Sequence, residues 1–186
     1  MKKYKLQLKN VVIRDRDAVK ILDMKIRPMS PADWPAVAQI YLEGIETGFA
    51  TFEKQVPSFE AWDKAHTRSC RLIALEGNSI VGWAALSPVS GRCVYGGVGE
   101  VSVYISKEHR AKGIGKKLLN ALIESSEKEG FWTLQSGIFP ENKGSVNIHL
   151  QCGFRQIGYR ERIGQLDGEW KDNLIFERRS KKVGAN

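Results

Sequence analysis

The sequence predicts an α/β (α+β) chain in which a mixed sheet carries helices on its faces. Two observations predict it. Short apolar runs broken by turn residues alternate with stripes of apolar side chains at helical spacing. Their order is β, α, α, β, β, β, α, β, α, β, β.

Taken in order, Ile26 and Arg27 fit a short first strand. Ser30, Pro31 and Asp33 then read as an N-cap, a first-turn proline and a first-turn acid. Trp34, Val37, Tyr41 and Ile45 recur on one face of the helix that follows. Ser58 opens a second helix carrying Phe59, Trp62 and Ala65. Leu72–Leu75 and Ile80–Leu86, separated by Glu76-Gly77-Asn78-Ser79, read as a hairpin. Val98–Ile105 is the next strand. Ile114, Leu118, Leu119, Leu122 and Ile123 form a helical stripe that ends near Gly130. Thr133–Phe139 is strand-like, and Ser145–Cys152 is a short helix closed by Gly153. Phe154–Ile163 and Trp170–Glu177 complete an antiparallel pair. No repeat or low-complexity tract interrupts the pattern.

The chain has 186 residues, which suits one domain. Residues 1–24 read as a leader of no assigned role, 25–178 as the domain, and 179–186 as a basic tail. A hydrophobic content of 42% beside 27% charged residues fits a folded chain rather than a disordered one, and no apolar run is long enough to span a bilayer. The basic start is followed by RDRDAVK rather than an apolar segment, so a secretory signal is not expected. Cys70, Cys93 and Cys152 form no CxxC pair, which suggests neither a metal site nor a disulfide framework. A cytoplasmic protein with free thiols is expected. The net charge of +8 lies partly at the two ends, as solvated tails, without interleaved aromatics. No nucleic-acid or membrane partner is expected. A polyanionic small molecule is the other use for such charge.

That use has a place between Val103 and Lys117. A strand ending in Val103, Tyr104 and Ile105 runs into a turn containing Gly113 and Gly115, and an amphipathic helix follows. The first amides of a helix lack intrahelical acceptors, and its dipole adds positive charge there. Glycines allow close approach, and Arg110, Lys112, Lys116 and Lys117 surround the turn. The segment suits a phosphate or pyrophosphate. It is not a Walker loop, which needs GxxxxGK and then Ser or Thr; here Arg110 precedes Gly115 by five and Lys117 follows Lys116. Nor is it a GxGxxG dinucleotide turn, because Leu118 holds the third glycine position. What remains is RxxGxG, which by itself also suits a turn that only caps a helix.

Arg110-Ala111-Lys112-Gly113-Ile114-Gly115 resembles the pyrophosphate motif of the GNAT acetyltransferases. The resemblance implies that the Ala111–Lys116 backbone holds the pyrophosphate of acetyl-CoA, with Arg110 beside it. It implies that Val103, Tyr104 and Ile105 pair with the pantetheine arm, and that Asn142 and Ser145 supply a second coenzyme contact. A mostly antiparallel central sheet with helices on both faces is implied as well.

The phosphinothricin and methionine sulfoximine N-acetyltransferase branch is the closer resemblance. Several separated segments carry it: Thr51-Phe52-Glu53 with Trp62 beyond, Arg92-x-x-Tyr95, Glu100-Val101-Ser102-Val103-Tyr104-Ile105, Ser145 to Phe154 with His149 inside, and Gly168-Glu169-Trp170-Lys171-Asp172. A small amino-acid-like amine as acceptor and a homodimer are implied. Gln165 departs from the branch, which tends to have an aromatic residue there, and this bears on acceptor identity.

An amine must lose a proton before it attacks a thioester. Glu100 is the candidate base. Period-two geometry puts Glu100, Ser102 and Tyr104 on one strand face and Val101, Val103 and Ile105 on the other. A salt bridge or a solvated sheet face would also explain a carboxylate there, whereas the resemblance implies the base. His149 stands where many GNAT enzymes have a tyrosine, and a thiolate donor, a proton relay and a structural histidine are all open to it. Phe52, Tyr95 and Tyr104 are implied to wall the acceptor pocket, and Arg92 to grip an acidic group in two-point geometry. Acetylation of a protein N-terminus or another amine is an alternative, as is a non-catalytic acetyl-CoA sensor.

Overall fold

The computed structural model describes residues 24–184. Apart from Met24, which opens the first strand, the expected leader lies outside the described residues. The strands are β1 (Met24–Pro28), β2 (Arg71–Glu76), β3 (Ser79–Pro88), β4 (Val98–Ile105), β5 (Thr133–Ile138), β6 (Arg155–Leu166) and β7 (Glu169–Arg179). The helices are α1 (Trp34–Ile45), α2 (Phe59–Ala65), α3 (Ile114–Lys128) and α4 (Lys143–Gln151).

Local chemistry sets several boundaries. Ser30, Pro31 and Asp33 form a 3-10 turn leading into α1, where the Asp33 carboxylate accepts from the Ser30 amide at 2.7 Å and its hydroxyl at 2.9 Å. Arg27 of β1 donates to both Asp33 oxygens, at 2.8 and 2.7 Å. These bonds hold the Asp33 carboxyl well below the usual range, the Arg27 bond most of all. A depressed carboxyl stabilises the fold above its unfolded pKa, and the contribution fades as pH falls through the folded value. Ser58 caps α2 by accepting from the Ala61 amide at 3.2 Å.

All seven strands form one sheet in the order β1-β2-β3-β4-β5-β7-β6. Every neighbouring pair is antiparallel except β4 and β5. Two clusters pack on opposite faces. Leu118, Leu119 and Leu122 of α3 pack with Val101, while Val103 and Ile105 support the same cluster. Val37, Ile40 and Tyr41 of α1 pack with Trp62, Trp83 and, at the edge, Tyr104. The alternation expected for β4 is the one observed, and it fixes which face Glu100 occupies.

Residues 179–184 are anchored to the domain by hydrogen bonds rather than hanging free. Arg179 is the last residue of β7, and its guanidinium donates to the carbonyls of Trp132 at 2.8 Å and Val183 at 2.7 Å, and to that of Gly184. Glu127 of α3 accepts from Arg178, Ser180 and Lys182, each at 3.1 Å. The Glu127 carboxylate and nearby backbone carbonyls anchor the basic run, although Arg179, Lys181 and Lys182 stay exposed, an effect that composition does not reveal. Burial alone would raise the Glu127 pKa, but hydrogen bonds from Lys182, Arg178 and Ser180 outweigh it and the net shift is downward. Glu127→Ala removes that hub and is expected to cost about 2 kcal/mol, lowering Tm by roughly 4–8 °C. Unchanged melting by calorimetry would contradict this role.

Candidate active site

β4 and β5 pair only at Val98–Thr133, Gly99–Leu134 and Glu100–Gln135. Beyond Glu100 the strands part, although β4 continues to Ile105 and β5 to Ile138. One edge of β4 is thereby left without a strand partner, and an extended ligand can pair with it. Two clefts open along the gap. The larger, about 720 Å³, runs between the α1 end, the α3 start and α4. The smaller, about 220 Å³, lies at the strand divergence itself and reaches Glu100.

The α3 start is built for an anion. Gly113 takes φ +78 at the N-cap, and Ala111 also lies in the left-handed region at φ 61. No side chain caps the helix, so the first-turn amides of Ile114, Gly115 and Lys116 have no intrahelical acceptor. The Lys117 amide is the first to bond back, to the Gly113 carbonyl at 3.2 Å. Ala111, Gly113, Gly115 and Lys116 line the large cleft with Val103, Tyr104 and Ile105.

Three expected contributors behave differently from their neighbours. Arg110 also lines the cleft, but its guanidinium donates to the Ile105 carbonyl at 3.2 Å and the Glu43 carbonyl at 3.0 Å, bracing the turn against α1. Ile114 buries its side chain in the core, which leaves only its amide for a ligand. Lys112 is exposed and does not line the cleft.

α4 closes the other side. The Asn142 side chain caps it, accepting from the Ser145 amide at 3.1 Å and donating to the Phe49 carbonyl at 3.4 Å. Both Asn142 and Ser145 line both clefts, with the Asn142 amide already engaged as a cap. One turn on, His149 is 2% exposed. Its Nδ1–H donates to the Ser145 carbonyl at 2.8 Å, which sets the tautomer. Burial pushes the His149 pKa down, opposed by that bond, so the ring is held neutral. Its Nε2 has no partner among the described residues.

Glu100 is exposed on β4, with a 3.5 Å contact from the Gln135 amide. It lines the small cleft with His149, Phe52 and Tyr104. Phe52 packs edge-on against Phe139, 4.5 Å between ring centres. Tyr104 stacks on Trp83 at 4.7 Å, and burial drives its pKa far upward, so it presents a neutral phenol. The structure does not bring Arg92 and Tyr95 to this cleft. They stack on each other, 5.7 Å apart, in the exposed connection between β3 and β4. The resemblance implies acceptor contacts for both, but the turn at Cys93–Tyr95 holds them outside both clefts.

A long cleft with an anion-binding helix start, an unpaired strand edge along its wall and a carboxylate at its inner end fits an acyl carrier with a phosphate-bearing tail. A model of the acetyltransferase (GNAT) family matches residues 34–154. The chain belongs to that family. It is an acetyl-CoA-dependent N-acetyltransferase. It is 28% identical over 165 residues to an L-methionine sulfoximine/L-methionine sulfone acetyltransferase of Pseudomonas paraeruginosa, covering 84% of this chain and 94% of that one. The crystal structure of a GNAT superfamily phosphinothricin acetyltransferase from Sinorhizobium meliloti in complex with AcCoA superposes with a TM-score of 0.79 at 27% identity, covering 88% of this chain and 91% of that one. The crystal structure of a ribosomal-protein-alanine N-acetyltransferase from Brucella melitensis gives 0.78 at 29% identity, with 84% and 99% covered.

In this GNAT enzyme, sequence reasoning missed the α1 end. Gly44, Thr47, Phe49 and Ala50 line the larger cleft across from α4. They carry no periodic signal. It also missed Ser136, Gly137 and Asn173 in the small cleft, which read as ordinary strand residues.

Proposed function

We propose that this enzyme acetylates the amino group of a small amino-acid-like acceptor such as phosphinothricin or methionine sulfoximine. The observation that carries the proposal is the small cleft: about 220 Å³, with Glu100 and the bare Nε2 of His149 on its walls, opening where β4 and β5 part. It adjoins the coenzyme cleft through Tyr104, Val103, Asn142 and Ser145, which line both. The names of relatives that act on methionine sulfoximine or phosphinothricin support the same acceptor class.

In this proposal the amides of Ala111–Lys116, with Lys116, hold the pyrophosphate, and the free β4 edge pairs with the pantetheine amides. Acetyl-CoA supplies the activated acetyl group. Glu100 takes a proton from the acceptor ammonium, and the amine nitrogen bonds to the acetyl carbon as the C–S bond breaks. The electron pair of that bond leaves on the coenzyme sulfur. A neutral His149 with Nδ1–H engaged offers Nε2 as a hydrogen-bond acceptor, so it receives or relays amine protons rather than donating to the thiolate. Phe52 and Tyr104 wall the acceptor.

A homodimer and a cytoplasmic location belong to the same proposal. Val94, Tyr95, Ile157, Tyr159, Ile163 and Trp170 stand exposed, in the β3–β4 connection and the β6–β7 hairpin, as apolar surface for pairing. Cys70, Cys93 and Cys152 are free thiols, as a reducing compartment keeps them.

A thiol-release screen tests the acceptor class. Phosphinothricin, methionine sulfoximine and other amino acids are expected to drive coenzyme release, and peptides with alanine at the N-terminus are not. Faster release with such peptides would transfer the assignment to protein alanine, the acceptor in the name of the Brucella melitensis protein.

A further inference from the structure

Two side chains that line the small cleft each carry a buried acceptor atom with no donor among the described residues: His149 Nε2 and Asn173 Oδ1. The other buried polar atoms without partners, the indole nitrogens of Trp62 and Trp83, sit in the aromatic cluster behind α1. Asn173 lies on β7, and its amide packs over Gly137 of β5. A Cβ at Gly137 would stand 2.9 Å from Asn173 Nδ2 and 3.0 Å from Oδ1, so a glycine there is what seats the amide. An unsatisfied buried acceptor costs about 1–3 kcal/mol. Native folds seldom keep one without a reason.

We propose that Asn173 is a specificity-determining residue, whose Oδ1 accepts an N–H of the acceptor's primary amine. The inference rests on the small-amine acceptor proposed above. A primary ammonium carries three N–H donors, and the cleft offers three kinds of acceptor: the Glu100 carboxylate, His149 Nε2 and Asn173 Oδ1. Once Glu100 has taken one proton, two N–H bonds and a lone pair remain. His149 and Asn173 hold the two N–H bonds, which stops rotation about the C–N bond and leaves the lone pair directed at the thioester carbon. A secondary amine has one N–H too few to fill both acceptors after deprotonation, so the cleft selects against it.

The test uses Asn173→Val and Asn173→Thr in the full chain. Val and Thr have nearly the same shape and both suit a strand, but only Thr keeps an acceptor oxygen. Initial rates are measured with phosphinothricin, methionine sulfoximine and their N-methyl counterparts, beside thermal melts. The Val variant is expected to raise the acceptor KM about tenfold, equivalent to about 1.4 kcal/mol. Its KM for acetyl-CoA should hold, its melting should not fall, and its preference for primary over N-methyl amines should shrink. The Thr variant should recover part of the loss. An unchanged acceptor KM in the Val variant would overturn the proposal. So would equal impairment of Val and Thr with lowered melting, the pattern of a structural residue. Failure of the unaltered enzyme to use any of these amines would instead overturn the acceptor class, and the Asn173 role with it.

Discussion

Glu100→Gln is expected to lower kcat by about 10²–10⁴-fold while acetyl-CoA affinity stays nearly unchanged. The amide keeps the shape and a hydrogen-bonding oxygen but cannot take the amine proton. Glu100 lines the small cleft and not the coenzyme cleft, so the substitution touches one half of the reaction. Its neighbour across the strand pair is Gln135, whose amide approaches at 3.5 Å. No cation neutralises it among the described ion pairs, which leaves the carboxylate available to an ammonium. Steady-state rates with saturating amine, alongside a coenzyme titration, separate the two effects. Full turnover in the variant would move the base elsewhere, and a matched loss of coenzyme affinity would make Glu100 a structural residue.

Gly113→Val is expected to weaken acetyl-CoA at least about tenfold. The cause is backbone geometry. An added Cβ at Gly113 meets nothing within 4 Å, so space is not limiting, but φ +78 is costly for a β-branched residue. The turn must relax, and the first amides of α3 then turn away from the phosphate position. Gly113→Asn provides the control, because Asn tolerates the left-handed region and should retain most of the affinity. Comparable loss in both variants, measured by calorimetry, would show that side-chain bulk rather than backbone direction matters.

Much of the fold was legible because its signals are local. The β4 limits, Val98 to Ile105, follow from apolar alternation between glycines and the phosphate turn. The leucine stripe of α3 and the Gly77-Asn78 turn are equally self-contained. The RxxGxG turn was readable because unpaired helix amides, glycines and cations all lie within a few residues. What sequence could not give is how far two strands stay paired. β4 and β5 part after Glu100, and both clefts lie along that gap. Phe49 and Ala50 reach the larger cleft through loop geometry with no periodicity to betray it. Asn173 looks like any polar strand residue until its oxygen is seen without a donor above Gly137. Arg92 and Tyr95, expected at the acceptor pocket from the resemblance, lie instead in an exposed turn whose position relative to the clefts no local pattern reveals. Charge counting also failed for Arg178, Arg179 and Lys182, whose partners lie far off in sequence at Glu127, Trp132 and beyond.

The central claim is that backbone amides at the α3 start hold a pyrophosphate and so place a thioester beside Glu100. Calorimetric titration with acetyl-CoA and with S-acetyl-pantetheine, which lacks the pyrophosphate, tests it most directly. Two charge-assisted hydrogen bonds are worth about 3 kcal/mol or more, so acetyl-CoA should bind roughly a hundredfold more tightly. Equal affinity for the two, or no measurable binding of acetyl-CoA, would contradict it.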